Sequence, residues 1–245
     1  MKKILLVLFI ASIQLLPAQI FKGIINKDSL AKKVKTITNV ITPSKLTNEE
    51  VIKGLKEALS VGTNSSTQLA SKLDGFYKNK DIFIPWPQEA KDMKAKLVKM
   101  GFTKKVDEFE MSLNRAAEEA ALKAAPVFLN AITNMSVQDG FAILKGTDTA
   151  ATNYLRKSTY TSLRSQFSPI VKEAIAKVNV TALWNPLVTT YNKIPLVKKQ
   201  NPDLEAYVTD KTINGLMLLI SKEEINIRNN ASARVSDLLK KVFAK

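Results

Sequence analysis

Residues 47–73, TNEEVIKGLKEALSVGTNSSTQLASKL, establish the fold class of this chain. Thr47 is followed three residues later by Glu50, which is the spacing of a capping box at the start of a helix. Small and apolar residues then recur every three or four positions, the period of one helix face. This face consists of Val51, Leu55, Ala58, Leu59, Gly62, Ser66, Leu69 and Leu73. The pattern predicts a helix over about residues 48–72, in which Gly62 marks either close helix packing or a break.

The rest of the chain continues the helical pattern, and no segment alternates apolar and polar residues as a strand does. Pro126 is expected to end or kink one helix, and Pro169 is expected to kink another. The chain is therefore predicted to be all-α, an irregular multi-helix bundle of about nine helices in a single domain. The further helices are predicted over about residues 87–100, 103–124, 127–134, 136–146, 148–156, 158–178, 181–192, 203–229 and 235–243.

The amino-acid composition excludes several classes of function. Glycine and proline number only 8 and 9 residues, which argues against a many-stranded sandwich or barrel and against a disordered chain. Histidine and cysteine are both absent. Disulfides, thiol catalysis, Ser-His-Asp triads, histidine acid–base chemistry and the ordinary zinc, haem and iron–sulfur sites are therefore excluded. No catalytic residue, metal site or cofactor is predicted.

Residues 1–18 have the pattern of a secretory signal peptide. Two lysines precede an apolar run over residues 4–16, which is shorter than the ~20 residues of a membrane span. Ala18 is a suitable residue before the cleavage site. The alternative to a signal peptide is that residues 1–18 form an N-terminal anchor or a buried first helix. We predict an exported protein with a partly helical linker over residues 19–46 and a helical domain over residues 47–245. No transmembrane helix is predicted in the mature chain.

The chain is strongly basic, with 37 lysines and arginines against 22 acidic residues and a formal net charge of +15. Lysine supplies 32 of these cations and arginine only 5. This excess predicts an anionic partner in the form of an envelope protein, an anionic lipid surface or a lipopolysaccharide-like surface. The alternative is a lysine-rich surface that only keeps a secreted protein soluble. Nucleic acid is not expected as a partner, because export removes it and no binding motif is present.

Polar residues on the predicted helix over residues 103–124 form one half of a candidate binding site. Arg115 lies three residues before Glu118, so an ion pair along the helix is geometrically natural, and Asn114 is adjacent. The functional interpretation is a polar cluster that faces a cleft and binds a small anion or a sugar. The alternatives are a surface ion pair and a buried polar contact between helices.

The other half of the candidate site is a loop over residues 74–87, which is long for a helix bundle. Asp74 begins the loop, and the prolines on both sides of Trp86 hold the indole near its end. A rigid aromatic side chain beside lysines can meet a partner or a membrane interface. Alternatively, Trp86 is a core residue where the loop crosses the bundle. The predicted binding residues are Asn114, Arg115, Glu118, Trp86 and Asp74.

Residues 146–149 lead into another predicted helix start, whose free backbone amides can hold an anion. The alternative is that Asp148 or Thr147 occupies this place as the N-cap residue. The segment lacks the glycine, lysine and hydroxyl spacing of a phosphate-binding loop.

Several segments, taken in order along the chain, carry a resemblance to a known family. They are GLKEALSVGT at 54–63, DGF at 74–76, IP at 84–85, LNRAAE at 113–118, ILKG at 143–146, AAT at 150–152, YLR at 154–156, YNKIPLV at 191–197 and NPDL at 201–204. Together they resemble the bacterial domain-of-unknown-function family 4197 over about residues 47–243. The resemblance implies a helical domain of exported bacterial proteins without an assigned activity, and it implies no catalytic residues.

These observations predict a non-enzymatic protein of the bacterial periplasm or cell envelope that binds a partner through a basic surface. One alternative is a soluble carrier whose helices enclose a small apolar ligand, which requires a cavity that buries most of the ligand. Another is a hydrolase that uses carboxylates alone, such as a glycan-cleaving enzyme, which requires two carboxylates across one cleft.

Overall fold

The computed structural model describes residues 45–244 of the chain. These residues contain nine α-helices and no strand. The predicted all-α class is therefore confirmed. The predicted signal peptide and almost all of the predicted linker lie outside the described residues and stay predictions. The helices are α1 (Asn48–Ala70), α2 (Lys91–Lys99), α3 (Thr103–Ala121), α4 (Ala124–Asn134), α5 (Gly140–Leu144), α6 (Ala150–Lys177), α7 (Val180–Asn192), α8 (Leu204–Asn229) and α9 (Asp237–Val242).

Helix α1 begins where the capping box predicts. Thr47 Oγ1 accepts a hydrogen bond from the Glu50 amide at 3.2 Å, and Glu50 Oε2 accepts one from the Thr47 amide at 3.1 Å. The helix continues without a break through Gly62, where an added Cβ would lie 3.3 Å from the Glu223 Cβ and 3.4 Å from the Ile220 carbonyl oxygen. Gly62 therefore allows the close packing of α1 against α8.

Helices α1 and α8 share the most extensive helix–helix contact among the described residues. Helix α6 packs on both α8 and α3, while α4, α5 and α9 pack on α1. Helix α3 also contacts α7 and α2, so it connects the two groups of helices. No helix within residues 45–244 combines the length and the apolar content that crossing a bilayer requires.

Helix α6 differs from the prediction, which divides residues 148–178 into two helices. The structure has one helix of 28 residues, so the predicted break near Ser158 is wrong. The hydroxyls of Ser158 and Thr159 donate to the carbonyls of Tyr154 and Leu155, four residues earlier, instead of capping a new helix. The buried face continues across this point through Leu155, Thr159, Leu163 and Phe167.

Other helix ends follow local chemistry. The boundary between α3 and α4 lies at Leu122 and Lys123, earlier than the proline that is predicted to end or kink the helix. Pro126 lies in the first turn of α4, where its missing N–H would have no helical partner. Asp203 caps α8 as predicted, because its Oδ1 accepts a hydrogen bond from the Ala206 amide at 2.9 Å.

Candidate functional site

The carboxylate of Glu118 holds the loop over residues 74–87 on helix α3. Its Oε1 accepts hydrogen bonds from the backbone amides of Phe76 at 3.0 Å and Tyr77 at 3.1 Å. The Glu118 side chain is 6% exposed, so it depends on donors from the chain rather than on water. Hydrogen bonds to an ionised acceptor are among the stronger ones in proteins, so this contact fixes the first part of the loop.

Arg115 connects Glu118 to the residue that begins the loop. Its guanidinium donates to Glu118 Oε2 at 2.6 Å and to Asp74 Oδ1 at 2.7 Å, and it lies 5.4 Å from the centroid of the Tyr77 ring. Hydrogen bonds from Lys78 and then Arg115 hold the pKa of Asp74 below its usual value. Burial lowers the pKa of Arg115, but its hydrogen bonds to Glu118 and Asp74 outweigh that effect and raise the pKa above its usual value.

Asn114 fixes the later part of the same loop. Its Oδ1 accepts a hydrogen bond from the Ile84 amide at 2.8 Å, and its Nδ2 donates to the Ile84 carbonyl at 2.9 Å. Nδ2 also donates to the Glu110 carbonyl within α3 at 2.9 Å. Because an asparagine amide carries both a donor and an acceptor, one fully buried side chain satisfies both backbone groups of Ile84.

Trp86, at the end of the loop, packs in a group of three aromatic rings. Its ring centroid lies 4.8 Å from that of Phe109 and 5.7 Å from that of Trp184. The indole is 2% exposed, and its Nε1 has no hydrogen-bond partner among the described residues. The neighbouring Pro85 carbonyl accepts a hydrogen bond from the Tyr207 hydroxyl at 2.8 Å. Burial raises the pKa of Tyr207 to about 12.

All five predicted binding residues therefore belong to one feature, the contact between the loop and helix α3. The side chains of Arg115 and Asp74 are each 24% exposed, whereas the other three residues are buried. The hydrogen bonds of the polar members are made within the chain itself. Ligand binding by these residues stays a prediction, and Arg115 and Asp74 are the members that a ligand can reach.

Asp74→Asn should lower the free energy of unfolding at neutral pH, and this difference from the wild type should disappear in acid. In the folded chain the pKa of Asp74 lies below its ordinary value of 3.8, so its ion pairs contribute fully above that value. They are lost as the pH falls through the folded-state pKa. Urea unfolding of both chains across a pH series measures the effect. Asp107→Asn is the control, because Asp107 is exposed and forms no ion pair within residues 45–244. If the stability of Asp74→Asn still differs from that of the wild type at the lowest pH, the prediction is contradicted.

A buried ion pair within α8, which was not predicted from the sequence, lies against the start of α6. The side chains of Glu224 and Arg228 are 1% and 7% exposed, and their charged atoms lie 2.9 Å apart. Glu224 Oε1 accepts a hydrogen bond from the Ala151 amide at 2.9 Å, and Oε2 accepts from the Thr152 amide and hydroxyl, both at 2.7 Å. The Glu224 carboxylate therefore occupies the place that an anion takes at a helix N-terminus.

Arg228 uses the rest of its guanidinium at the end of α5. It donates to the Leu144 carbonyl at 2.7 Å and to the Ile143 carbonyl at 3.2 Å, and it lies 5.5 Å from the centroid of the Phe243 ring. The sequence did hold a signal for the ion pair, because Glu224 precedes Arg228 by four residues, the spacing of helix ion pairs. The sequence contains no signal for the contacts of this pair with α5 and α6.

The start of α6 differs from its predicted cap. Thr149 is the N-cap residue, and its side chain makes no capping hydrogen bond. Asp148 instead accepts a hydrogen bond from Asn229 at 2.9 Å. The prediction that Asp148 or Thr147 caps this helix is therefore wrong, and an external anion would have to displace the Glu224 carboxylate from these amides.

Comparison with known proteins identifies the family of the chain. The family model described as "protein of unknown function (DUF4197)" matches residues 45–244. The chain belongs to the DUF4197 family. The resemblance seen in the sequence is therefore confirmed, and the clusters around Arg115 and Arg228 both lie within the matched part. Searches of the curated proteins and of the solved structures found no match.

The described part of this DUF4197 domain has open grooves that are large enough for a small molecule. One, of about 430 Å³, lies where α6, α7 and the start of α8 meet and is lined by Trp184 together with lysine, asparagine and carboxylate side chains. Another, of about 570 Å³, lies between α2 and residues 196–200. No group of three or more carboxylates in residues 45–244 is placed to hold a metal ion. The carrier and hydrolase alternatives stay predictions.

Proposed function

We propose that this DUF4197 protein is an exported, non-enzymatic binding protein of the bacterial cell envelope, which contacts an anionic partner through its lysine-rich surface. The signal-peptide pattern of residues 1–18 supports export. A sequence without histidine or cysteine lacks the side chains that most often act as general base or nucleophile, which supports binding rather than catalysis.

The observation that carries this proposal is the set of lysines that the fold leaves unpaired. An unpaired ammonium group on the surface attracts anions over about a Debye length, ~8 Å in physiological salt. Many such groups together raise the local concentration of an anionic partner and speed its encounter with the protein. The exposed lysines that form no ion pair within residues 45–244 include Lys72, Lys80, Lys91, Lys99, Lys157, Lys193, Lys198 and Lys199.

The arginines, by contrast, are all used within the fold. Arginine forks suit the bidentate recognition of a single phosphate, whereas lysines are solvated point charges that suit a diffuse anionic surface. This division favours a partner with many negative charges over one small phosphorylated ligand. Arg115 and Arg228 lie in the two clusters, Arg156 contacts Asn214, Arg164 pairs with Asp210, and Arg234 donates to the carbonyls of Ile227 and Arg228.

Sedimentation with an envelope fraction from a Gram-negative bacterium tests the proposal. The purified chain from Gln19 to Lys245 should pellet with the envelope at low salt and stay in the supernatant at high salt, because salt screens exposed charges. The same chain without the envelope fraction controls for self-association. Recovery in the supernatant at low salt, or binding that salt does not change, would show that the lysine surface does not hold an envelope partner.

A further inference from the structure

Residues 193–199, which we call the tip loop, follow α7 and are closed at their base by one side chain. Asn192 Nδ2 donates to the Gln200 carbonyl at 3.1 Å, and Asn192 Oδ1 accepts from the Gln200 amide at 3.0 Å. Gln200 is buried. The base of the tip loop is therefore fixed to the bundle, and its middle residues extend from a rigid support.

Leu196, in the middle of the tip loop, is both fully exposed and strained. No part of its side chain is buried against the bundle, although leucine is among the residues most often buried in proteins. Its φ of +62° lies in the left-handed region that non-glycine residues seldom adopt. A residue held in this region carries a cost in stability, and such residues cluster at functional sites. The packing of the described fold gives no reason for a leucine at this position.

Lysines dominate the surface around Leu196. Five of them lie in the tip loop or on the part of α2 that lines the same groove, and none forms an ion pair with a carboxylate in residues 45–244. Two carboxylates, Glu89 and Asp92, also line that groove, so ammonium groups remain in excess. The five lysines are Lys96, Lys99, Lys193, Lys198 and Lys199.

We propose that the tip loop docks this protein on an anionic phospholipid bilayer, with Leu196 entering the interface and the five lysines contacting lipid phosphates. This inference rests on the proposed function and identifies its partner. Two effects contribute together to the membrane binding of peripheral proteins. An apolar side chain is transferred from water into the interface, and cationic side chains contact the anionic headgroups. The tip loop presents both kinds of group at one point.

A protein partner fits this surface less well than a bilayer. Specific protein interfaces bury about 800 Å² on each partner, and their cores are rich in aromatic residues and poor in lysine. The tip loop offers one fully exposed leucine among lysines, which is too small and too charged for such a core. A fluid bilayer requires no matched shape, and it accepts a single inserted side chain with any arrangement of nearby cations.

Vesicles of phosphatidylglycerol mixed with phosphatidylethanolamine test the role of Leu196 in the chain from Gln19 to Lys245. Leu196→Asn should weaken vesicle binding about tenfold, because the apolar side chain no longer leaves water. Asparagine adopts a left-handed φ more readily than leucine does, so this variant should resist urea at least as well as the wild type. Leu122→Asn changes another exposed leucine, outside the tip loop, and should leave the affinity unchanged.

A pair of double variants tests the role of the lysines. Lys198→Gln/Lys199→Gln should weaken binding about 25-fold, because each lysine near an anionic surface contributes about fivefold. Lys145→Gln/Lys157→Gln removes the same charge from the α5–α6 side of the bundle and should change the affinity much less. Vesicles of phosphatidylcholine alone should bind the wild-type chain weakly.

The outcomes separate this inference from the proposed function. Docking by the tip loop would be overturned if Leu196→Asn bound vesicles with wild-type affinity, or if the two double lysine variants weakened vesicle binding equally. Salt-dependent binding to the envelope fraction would still stand in either case. Binding to the envelope fraction but to no vesicle would overturn the bilayer as the partner and favour a protein instead. Absence of binding to the envelope fraction and to vesicles alike would remove both proposals.

Discussion

Glu224→Gln should lower the free energy of unfolding by about 3–5 kcal/mol, the usual effect of removing one partner of a buried ion pair. The substitution leaves the Arg228 guanidinium buried without its counter-charge. It also replaces charge-assisted hydrogen bonds to the start of α6 with weaker neutral ones. Urea unfolding of the chain from Gln19 to Lys245 should show a lower midpoint with an unchanged slope.

Glu223→Gln is the matched control for this experiment. The neighbouring carboxylate is half-buried but forms no hydrogen bond or ion pair within residues 45–244, so its loss should change stability by at most about 0.5 kcal/mol. The double variant Glu224→Gln/Arg228→Met also removes the unpaired charge and should recover part of the loss. Equal, small effects of Glu224→Gln and Glu223→Gln would contradict a stabilising role for the buried pair.

The starts of α1 and α8 can be predicted from the sequence because the groups that determine them lie within a few residues of one another. The capping groups of Thr47 and Asp203 act on amides three residues away, so their spacing is visible in the sequence. Ser158 is different, because its hydroxyl can either cap a new helix or bond the carbonyl four residues earlier. The continuous buried face of α6 determines which occurs, and that face depends on helices distant in sequence.

The residues of the candidate site can be predicted from the sequence, but the contacts that join its loop to helix α3 cannot. Residue spacing along α3 identifies Arg115 and Glu118 as a pair. The amides of Phe76 and Tyr77, which Glu118 binds, lie 42 and 41 positions away. Every residue except proline carries a backbone amide, so side-chain identity gives no signal for such a contact. Similarly, the sequence shows a leucine at position 196 but not that its backbone is left-handed and its side chain exposed.

Asn114→Leu should lower the free energy of unfolding by about 4 kcal/mol, the largest effect expected at the contact between the loop and α3. Leucine has a similar volume, so the loss arises from the two buried backbone groups of Ile84, at about 1–3 kcal/mol for each group left without a partner. Urea unfolding measures it. Asn64→Leu, at an exposed position of α1, is the control and should change stability by at most about 0.5 kcal/mol.

Amide hydrogen exchange extends this test to the loop over residues 74–87. If Asn114 fixes the later part of the loop, the Ile84 amide should exchange faster in Asn114→Leu, because the side chain that protects it is gone. The Phe76 amide should keep its protection, since Glu118 binds it independently. An unchanged rate at Ile84 would mean that another group accepts its hydrogen bond. Equal acceleration at Ile84 and Phe76 would mean that the two anchors release the loop as one unit, because each then depends on the other.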